Sequence, residues 1–232
     1  MAYEHVSPWR KLAPGGPVRS RLLAAMIAGL VMLALTGPAL ALMDRSPMES
    51  VKQTISNVLR ILNQEELKQP GRAAERRHEI ERVVRQGVSY EEMAKRALGP
   101  TWSELGDADR QAFVDLFVQL LRDQFAGKID VYADEQVQYL SERQEAHLAE
   151  VRTVLTGHKT DMELDFRLAD RTGEWLVYDV VIDGASIVSN YRAQFASILR
   201  DQGYAGLVER MKQKTLVVKT FERSAMPESR HE

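Results

Sequence analysis

The sequence predicts an α+β domain built from helices, then an antiparallel meander of about four strands, then helices again. Three observations lead to this prediction. Apolar residues recur at the helical period from about residue 47 to residue 126. The period then changes to two, which is typical of strands, as far as residue 182. A helical pattern returns at about residue 190, so that strands and helices are segregated along the chain.

Capping residues mark where the N-terminal helices begin. Ser46 as N-cap and Glu49 closing a capping box predict a helix over about residues 47–64. A second helix with few apolar positions is predicted over residues 72–85, so most of it should face water. Ser89 caps a short third helix.

The most apolar helix is predicted over about residues 108–126. Asp107 is its expected N-cap, and Gly127 is its expected C-terminal cap. A wide apolar stripe covers this helix and is formed by Phe113, Leu116, Phe117, Leu120, Leu121 and Phe125.

Alternation of apolar and polar residues predicts four strands. Val137 and Tyr139 alternate with polar neighbours, and residues 148–156 form a second strand. Residues 162–168 alternate strictly, as a half-buried strand does. Residues 175–182 are apolar on both faces, which predicts a strand covered on both sides.

The C-terminal part is predicted to be helical over residues 190–201. Gly203 should end this helix, and a short helix should follow over about residues 204–212. We expect a single domain over residues 42–221 and a polar tail over residues 222–232.

Residues 1–41 have the layout of a cleavable signal peptide. Basic residues precede an uncharged apolar run over residues 22–35, and Ala39-Leu40-Ala41 is the small-x-small pattern that a signal peptidase reads. The run is shorter than the roughly 20 apolar residues of a spanning helix, which disfavours a retained membrane anchor. Export of a chain without cysteine indicates the bacterial periplasm.

Composition excludes several classes of protein. Hydrophobic residues make up 44% and charged residues 28% of the 232 residues, so most of the chain should fold. The absence of cysteine excludes disulfide scaffolds and thiol catalysis. The formal net charge of −2 gives no electrostatic reason to expect nucleic acid as a partner.

No motif of a hydrolase, nucleotide-binding protein or metalloprotease is present, and the histidines are not clustered. Asp179 is the most unusual carboxylate because it interrupts an apolar strand. A buried charge needs partners, which Tyr191 or Arg192 could supply. Two interpretations stay open, a structural carboxylate and a catalytic base, and Ser186 is a weak candidate nucleophile.

The segment over residues 175–214 carries four ordered motifs. They are Val177-Tyr178-Asp179-Val180, Asp183-Gly184-Ala185-Ser186, Asn190-Tyr191-Arg192-x-Gln194-Phe195 and Gly206-Leu207. This block resembles the MlaC/toluene-tolerance auxiliary family, the periplasmic phospholipid carriers of the maintenance-of-lipid-asymmetry system. The order of elements over about residues 47–215 is also similar to that family. Ala185 departs from the pattern, since a branched residue is expected there.

The resemblance implies a single domain whose helices pack over a curved sheet and enclose an apolar cavity for acyl chains. Bound phospholipid would be cargo, and neither a cofactor, a metal nor an enzymatic activity is implied. The implied partners are an inner-membrane ABC transporter complex and an outer-membrane lipoprotein–porin complex. The residues that we expect to contact lipid are Phe113, Phe117, Leu120, Leu164, Phe166, Tyr178, Val180, Ile182, Ile187, Tyr191 and Phe195.

Three alternatives to a phospholipid carrier stay open at this point. A hopanoid or another membrane lipid would need the same kind of apolar cavity. A periplasmic adaptor that binds no lipid would have a fully packed interior instead. An exported enzyme on a similar scaffold would use Asp179 as its base.

Overall fold

The computed structural model describes residues 45–125, 135–157, 161–213 and 216. The predicted signal peptide over residues 1–41 and the polar tail over residues 222–232 lie outside the described residues, as do both ends of the predicted domain over residues 42–221. These boundaries therefore stay predictions.

The first half of the described chain is helical, as the apolar periodicity predicts. The α-helices are α1 (Pro47–Leu62), α2 (Glu65–Lys68), α3 (Ala73–Gly87), α4 (Tyr90–Leu98) and α5 (Asp107–Phe125), with 3₁₀ turns over Pro70–Arg72 and Gly99–Glu104. Helix α1 ends two residues earlier than predicted because Asn63 leaves the helical conformation, with φ of −93° and ψ of 2°, and the Gln64 N–H bonds back only three residues to the Ile61 carbonyl.

The predicted capping box begins α1. The Ser46 hydroxyl accepts a hydrogen bond from the Glu49 N–H at 3.2 Å, and the Glu49 carboxylate accepts one from the Ser46 N–H at 3.1 Å. Two donors at the helix start are thereby satisfied by side chains, and Pro47 has no N–H to satisfy.

Replacing Ser46 with alanine should lower the free energy of unfolding by about 1 kcal/mol, because the Glu49 N–H loses its side-chain acceptor. Urea unfolding followed by circular dichroism measures the change. Ser56→Ala is the matched control, since Ser56 is an exposed serine inside the same helix and alanine favours helix there. Equal losses in both variants would contradict a role for the cap.

The second half contains an antiparallel sheet and a final helix. The strands are β1 (Gln136–Glu145), β2 (Leu148–Thr156), β3 (Met162–Arg171), β4 (Glu174–Ile182) and β5 (Ala185–Ser186), followed by α6 (Ile187–Lys212). The strands pair in chain order, and all four pairings are antiparallel. The sheet has five strands rather than about four, since the two-residue β5 is too short to show a period.

Helix α6 begins and bends at residues that can be explained locally. It starts three residues earlier than predicted because the Ser186 hydroxyl accepts a hydrogen bond from the Ser189 N–H at 2.9 Å. The predicted break at Gly203 is a kink, with φ of 68° and ψ of −174° inside the helix. Glycine reaches this conformation without a steric penalty.

Strand register separates an apolar face of the sheet from a charged face. The pairs Val151↔Phe166 and Phe166↔Val180 place these residues on one side. We call this side the apolar face; it carries Ala149, Val151, Thr153, Leu155, Met162, Leu164, Phe166, Leu168, Val177, Val180 and Ile182. The charged face carries Glu150, Arg152, Glu163, Asp165, Arg167 and Asp179.

Two groups of helices pack against the sheet. The first core cluster joins α4, α5 and α6 to strand residues that include Leu155, Met162 and Ile182. The second core cluster joins Val51 of α1 to Ala149, Val151, Leu168 and Val177. The apolar face therefore contributes to two separate cores, one toward each end of its strands.

Candidate functional site

The eleven residues that we expect to contact lipid lie on two helices and on two strands of the sheet. Helix α5 carries three of them, the sheet carries five and α6 carries three. Eight are buried, and the other three, Leu164, Phe166 and Val180, are half-buried. Ten belong to or pack against the first core cluster, whereas Phe166 packs against the second. Their contact with lipid stays a prediction.

An aromatic group joins α5 to α6 inside the first core cluster. The Phe117 ring meets the Tyr191 ring edge-on with 5.3 Å between centroids, and the Phe113 and Phe195 rings are 5.8 Å apart. Each helix supplies its two rings four residues apart, which places them on the same side of that helix. Edge-to-face pairs of this kind add about 0.5–1.5 kcal/mol beyond the burial of their area.

The three half-buried residues form a continuous patch between the two cores. Phe166 pairs with Val180 across β3 and β4, and Leu164 pairs with the buried Ile182. Leu164 packs against the first core cluster, Phe166 against the second, and Val180 against both. We call Leu164, Phe166 and Val180 the apolar strip; it is the part of the apolar face that the helices leave partly uncovered.

Several neighbours of this strip were not among the residues predicted to contact lipid. Val137 of β1 is half-buried against the first core cluster, and Tyr139 is half-buried against the second. Ile55 of α1 packs against the second cluster as well. The alternation of Val137 and Tyr139 was a usable signal, because period two already placed both on one face.

Asp179 lies on the charged face and is 2% exposed. Its carboxylate accepts hydrogen bonds from the Arg167 guanidinium at 3.1 Å, the Ser186 hydroxyl at 2.6 Å and the Val188 N–H at 3.0 Å. The suggested partners Tyr191 and Arg192 were wrong. The real ones come from the neighbouring strand and from the first turn of α6, because β5 brings that turn back beside β4.

This network gives Asp179 and Ser186 structural roles. The Ser186 hydroxyl donates to Asp179 and accepts from the Ser189 N–H, so it caps α6. The carboxylate ties the end of β4 to the start of α6 and leaves almost no surface for a substrate.

Two clefts lie on the surface of the described residues, one on the sheet and one beside α5. One, of about 230 Å³, is lined by charged side chains of the sheet with Leu148, Ala149 and Tyr178. The other, of about 330 Å³, lies beside α5 and is lined by Arg85, Tyr90 and Arg122 with other side chains. Ligand pockets span about 300–1,000 Å³ and are mostly apolar, so neither cleft suits two acyl chains. The apolar cavity stays a prediction.

In the part of the chain that the structure describes, no three histidine or acidic side chains meet as a metal site. His78 and His147 are exposed, and His158 lies outside the described residues. Within the same part, none of the helices combines the length and the apolar character that crossing a bilayer requires.

Fold and site together define a class of protein: a small α+β domain that keeps a partly uncovered apolar strip between two helix groups on an open antiparallel sheet. The model of the family described as "MlaC protein" matches residues 52–213. The chain therefore belongs to the MlaC family, as the C-terminal motifs indicated.

Two known proteins are similar to this chain. The intermembrane phospholipid transport system binding protein MlaC of Haemophilus influenzae is 25% identical over 132 residues, which span 54% of this chain and 62% of that relative. The phospholipid-binding protein from Ralstonia solanacearum, solved in complex with a phospholipid, has a TM-score of 0.65 at 24% identity. That match covers 71% of this chain and 94% of the solved one, and it confirms the α+β fold.

Proposed function

We propose that this protein is a periplasmic carrier that binds the acyl chains of a phospholipid on the apolar strip. The half-buried strip between the two core clusters is the observation that carries the proposal. A side chain that the helices covered completely would be buried, whereas these three side chains keep part of their apolar surface exposed. Membership of the MlaC family and the phospholipid named for both similar proteins support the same ligand class.

The energetics of lipid transfer explain why a carrier needs such a surface. Burying a methylene group is worth about 0.8 kcal/mol, so exposing two chains of about fifteen methylenes costs on the order of 24 kcal/mol. A protein that takes lipid through water must cover nearly all of both chains. The strip would contact the chains first, and the eight buried residues of the predicted set would surround them as α5 and α6 move apart from the sheet.

The partners follow from the same proposal. The carrier would exchange phospholipid with an inner-membrane ABC transporter complex and an outer-membrane lipoprotein–porin complex, and the signal peptide over residues 1–41 would deliver it to the periplasm between them. The family and the "intermembrane phospholipid transport system" in the name of the Haemophilus influenzae relative support this placement.

We propose a binding function rather than an enzymatic one. The enzyme alternative rests on Asp179 as a base. Its carboxylate already accepts three hydrogen bonds and is almost completely buried. A general base has to come within hydrogen-bond reach of the proton that it abstracts, and the Asp179 surroundings are filled by Arg167, Ser186 and the backbone of α6.

The experiment is native mass spectrometry of the full chain, exported by its own leader in a bacterial host and isolated from the periplasm. We expect the mass of one bound phospholipid and the same lipid in an organic extract. Lipid-free protein is then incubated with vesicles of phosphatidylethanolamine and phosphatidylglycerol. Absence of lipid in both preparations would support the adaptor alternative. If the protein took up lipid only from hopanoid-containing vesicles, the cargo would be a hopanoid rather than a phospholipid.

A further inference from the structure

The Tyr191 hydroxyl is a buried polar group without a partner. The residue is 0% exposed, and its oxygen has no hydrogen-bond partner within the described part of the chain. The buried polar side chains of the sheet differ in this respect. The Thr153 hydroxyl donates to the Leu164 carbonyl, and the Asp179 carboxylate accepts three hydrogen bonds. Burying a hydroxyl without a partner costs free energy, and phenylalanine would avoid that cost.

Its surroundings define what this hydroxyl can bind. The Tyr191 ring contacts the rings of Phe117 and Phe195, and the first core cluster around them consists of apolar side chains. Burial raises the pKa of Tyr191, so the phenol stays protonated at neutral pH and is available as a donor. As a donor, this hydroxyl can bind an acceptor that reaches into an apolar environment.

The acceptor has to be neutral. An anionic phosphate among apolar side chains would have an uncompensated charge, which is far more costly than burying a neutral dipole. The glycerol end of a diacyl phospholipid also carries ester carbonyls, which are uncharged acceptors directly attached to the acyl chains. Leu164 and Val180 of the strip pack against the same core cluster that contains Tyr191.

We propose that the Tyr191 hydroxyl donates a hydrogen bond to an ester carbonyl oxygen of the bound lipid. This inference rests on the proposed function, and it makes Tyr191 a residue that selects ester-linked over ether-linked lipids.

The test compares a diacyl phospholipid with the dialkyl ether lipid of the same headgroup and chain length. We expect the wild-type protein to bind the ester lipid about three- to tenfold more tightly, the range of one buried hydrogen bond. In Tyr191→Phe this preference should disappear. Its lipid-free unfolding midpoint should be unchanged or higher, because the unpaired hydroxyl is gone.

Tyr204→Phe is the matched control. Tyr204 lies on the same helix and its ring is near Phe113, yet its hydroxyl already donates to the Asp109 carbonyl at 3.4 Å. This variant should keep the ester preference. The infrared frequency of the ester carbonyl stretch of bound, carbon-13-labelled lipid gives a second measurement. A hydrogen bond from Tyr191 should lower this frequency in the wild-type protein, and the frequency should be higher in Tyr191→Phe.

Three results would separate the possibilities. An ester preference that survives in Tyr191→Phe, or no preference in the wild-type protein, would overturn the inference while the carrier function stands. Failure of the wild-type protein to bind either lipid would overturn the proposed function itself. Should Tyr191→Phe not fold, the absence of an ester preference in the wild-type protein, or an unshifted carbonyl frequency of its bound lipid, would still overturn the inference.

Discussion

Replacing Asp179 with alanine should lower the free energy of unfolding by about 2–4 kcal/mol. The substitution removes the acceptor of the buried Val188 N–H and of the Ser186 hydroxyl, and it removes the carboxylate that Arg167 contacts. A buried donor left without a partner costs about 1–3 kcal/mol. Arg167 is partly exposed and also lies 3.6 Å from Glu150, so water and that carboxylate limit its share of the loss. Urea unfolding followed by circular dichroism measures the change.

Asp201→Ala is the control for this experiment. Asp201 is an exposed carboxylate on α6 with an ion pair at 3.9 Å, and exposed pairs contribute little, so the change should stay within about 0.5 kcal/mol. The loss of unfolding free energy in Asp179→Asn should lie between the losses in Asp179→Ala and Asp201→Ala, because the amide oxygen still accepts from the Val188 N–H. A fully stable Asp179→Asn that had lost a chemical turnover would favour the enzyme alternative instead.

The second large effect is expected on lipid binding. Replacing Val180 with glutamine should weaken phospholipid binding about tenfold or more while the domain stays folded. Val180 is half-buried and packs against both core clusters, so an acyl chain on the strip would meet the amide without offering it a hydrogen bond. An unpaired amide in an apolar environment costs about 1–3 kcal/mol, and 1.4 kcal/mol is a factor of ten in affinity.

Val154→Gln is the matched variant on the other side of the sheet. Val154 is also half-buried, but its register partner is Glu163 on the charged face. We expect its bound-lipid fraction in native mass spectra to equal that of the wild type. If Val180→Gln retained lipid as well as Val154→Gln does, the strip would not be the lipid-binding surface.

Local features of the sequence were sufficient for most elements. The capping box at Ser46, the cap at Ser89 and the break at Gly203 act through hydrogen bonds and dihedral preferences within a few residues. The strict alternation in β3 likewise reflects one buried face. Such signals depend on neighbours along the chain, which is why the helices other than the short α2 and the four long strands were predicted within a few residues.

Contacts between distant segments could not be predicted from such local signals. The two-residue β5 has no period of its own, yet its turn brings the start of α6 beside β4. That turn gives Asp179 its partners Ser186 and Val188, while strand register supplies Arg167. Tyr191 and Arg192 looked equally plausible from sequence, because side-chain direction at the start of a helix depends on how that helix docks.

The sequence by itself determined the α+β class, the caps at Ser46 and Ser89, the apolar residues and the family, since composition, period and motif order are properties of the linear chain. The predicted N-cap Asp107 is instead the first residue of α5. Only the tertiary structure decided which apolar residues are half-buried. Packing of α1 at one side and of α4, α5 and α6 at the other covers most of the apolar face and leaves Leu164, Phe166 and Val180 between them. Burial is set by what packs on a side chain, and that is a property of the assembled layers.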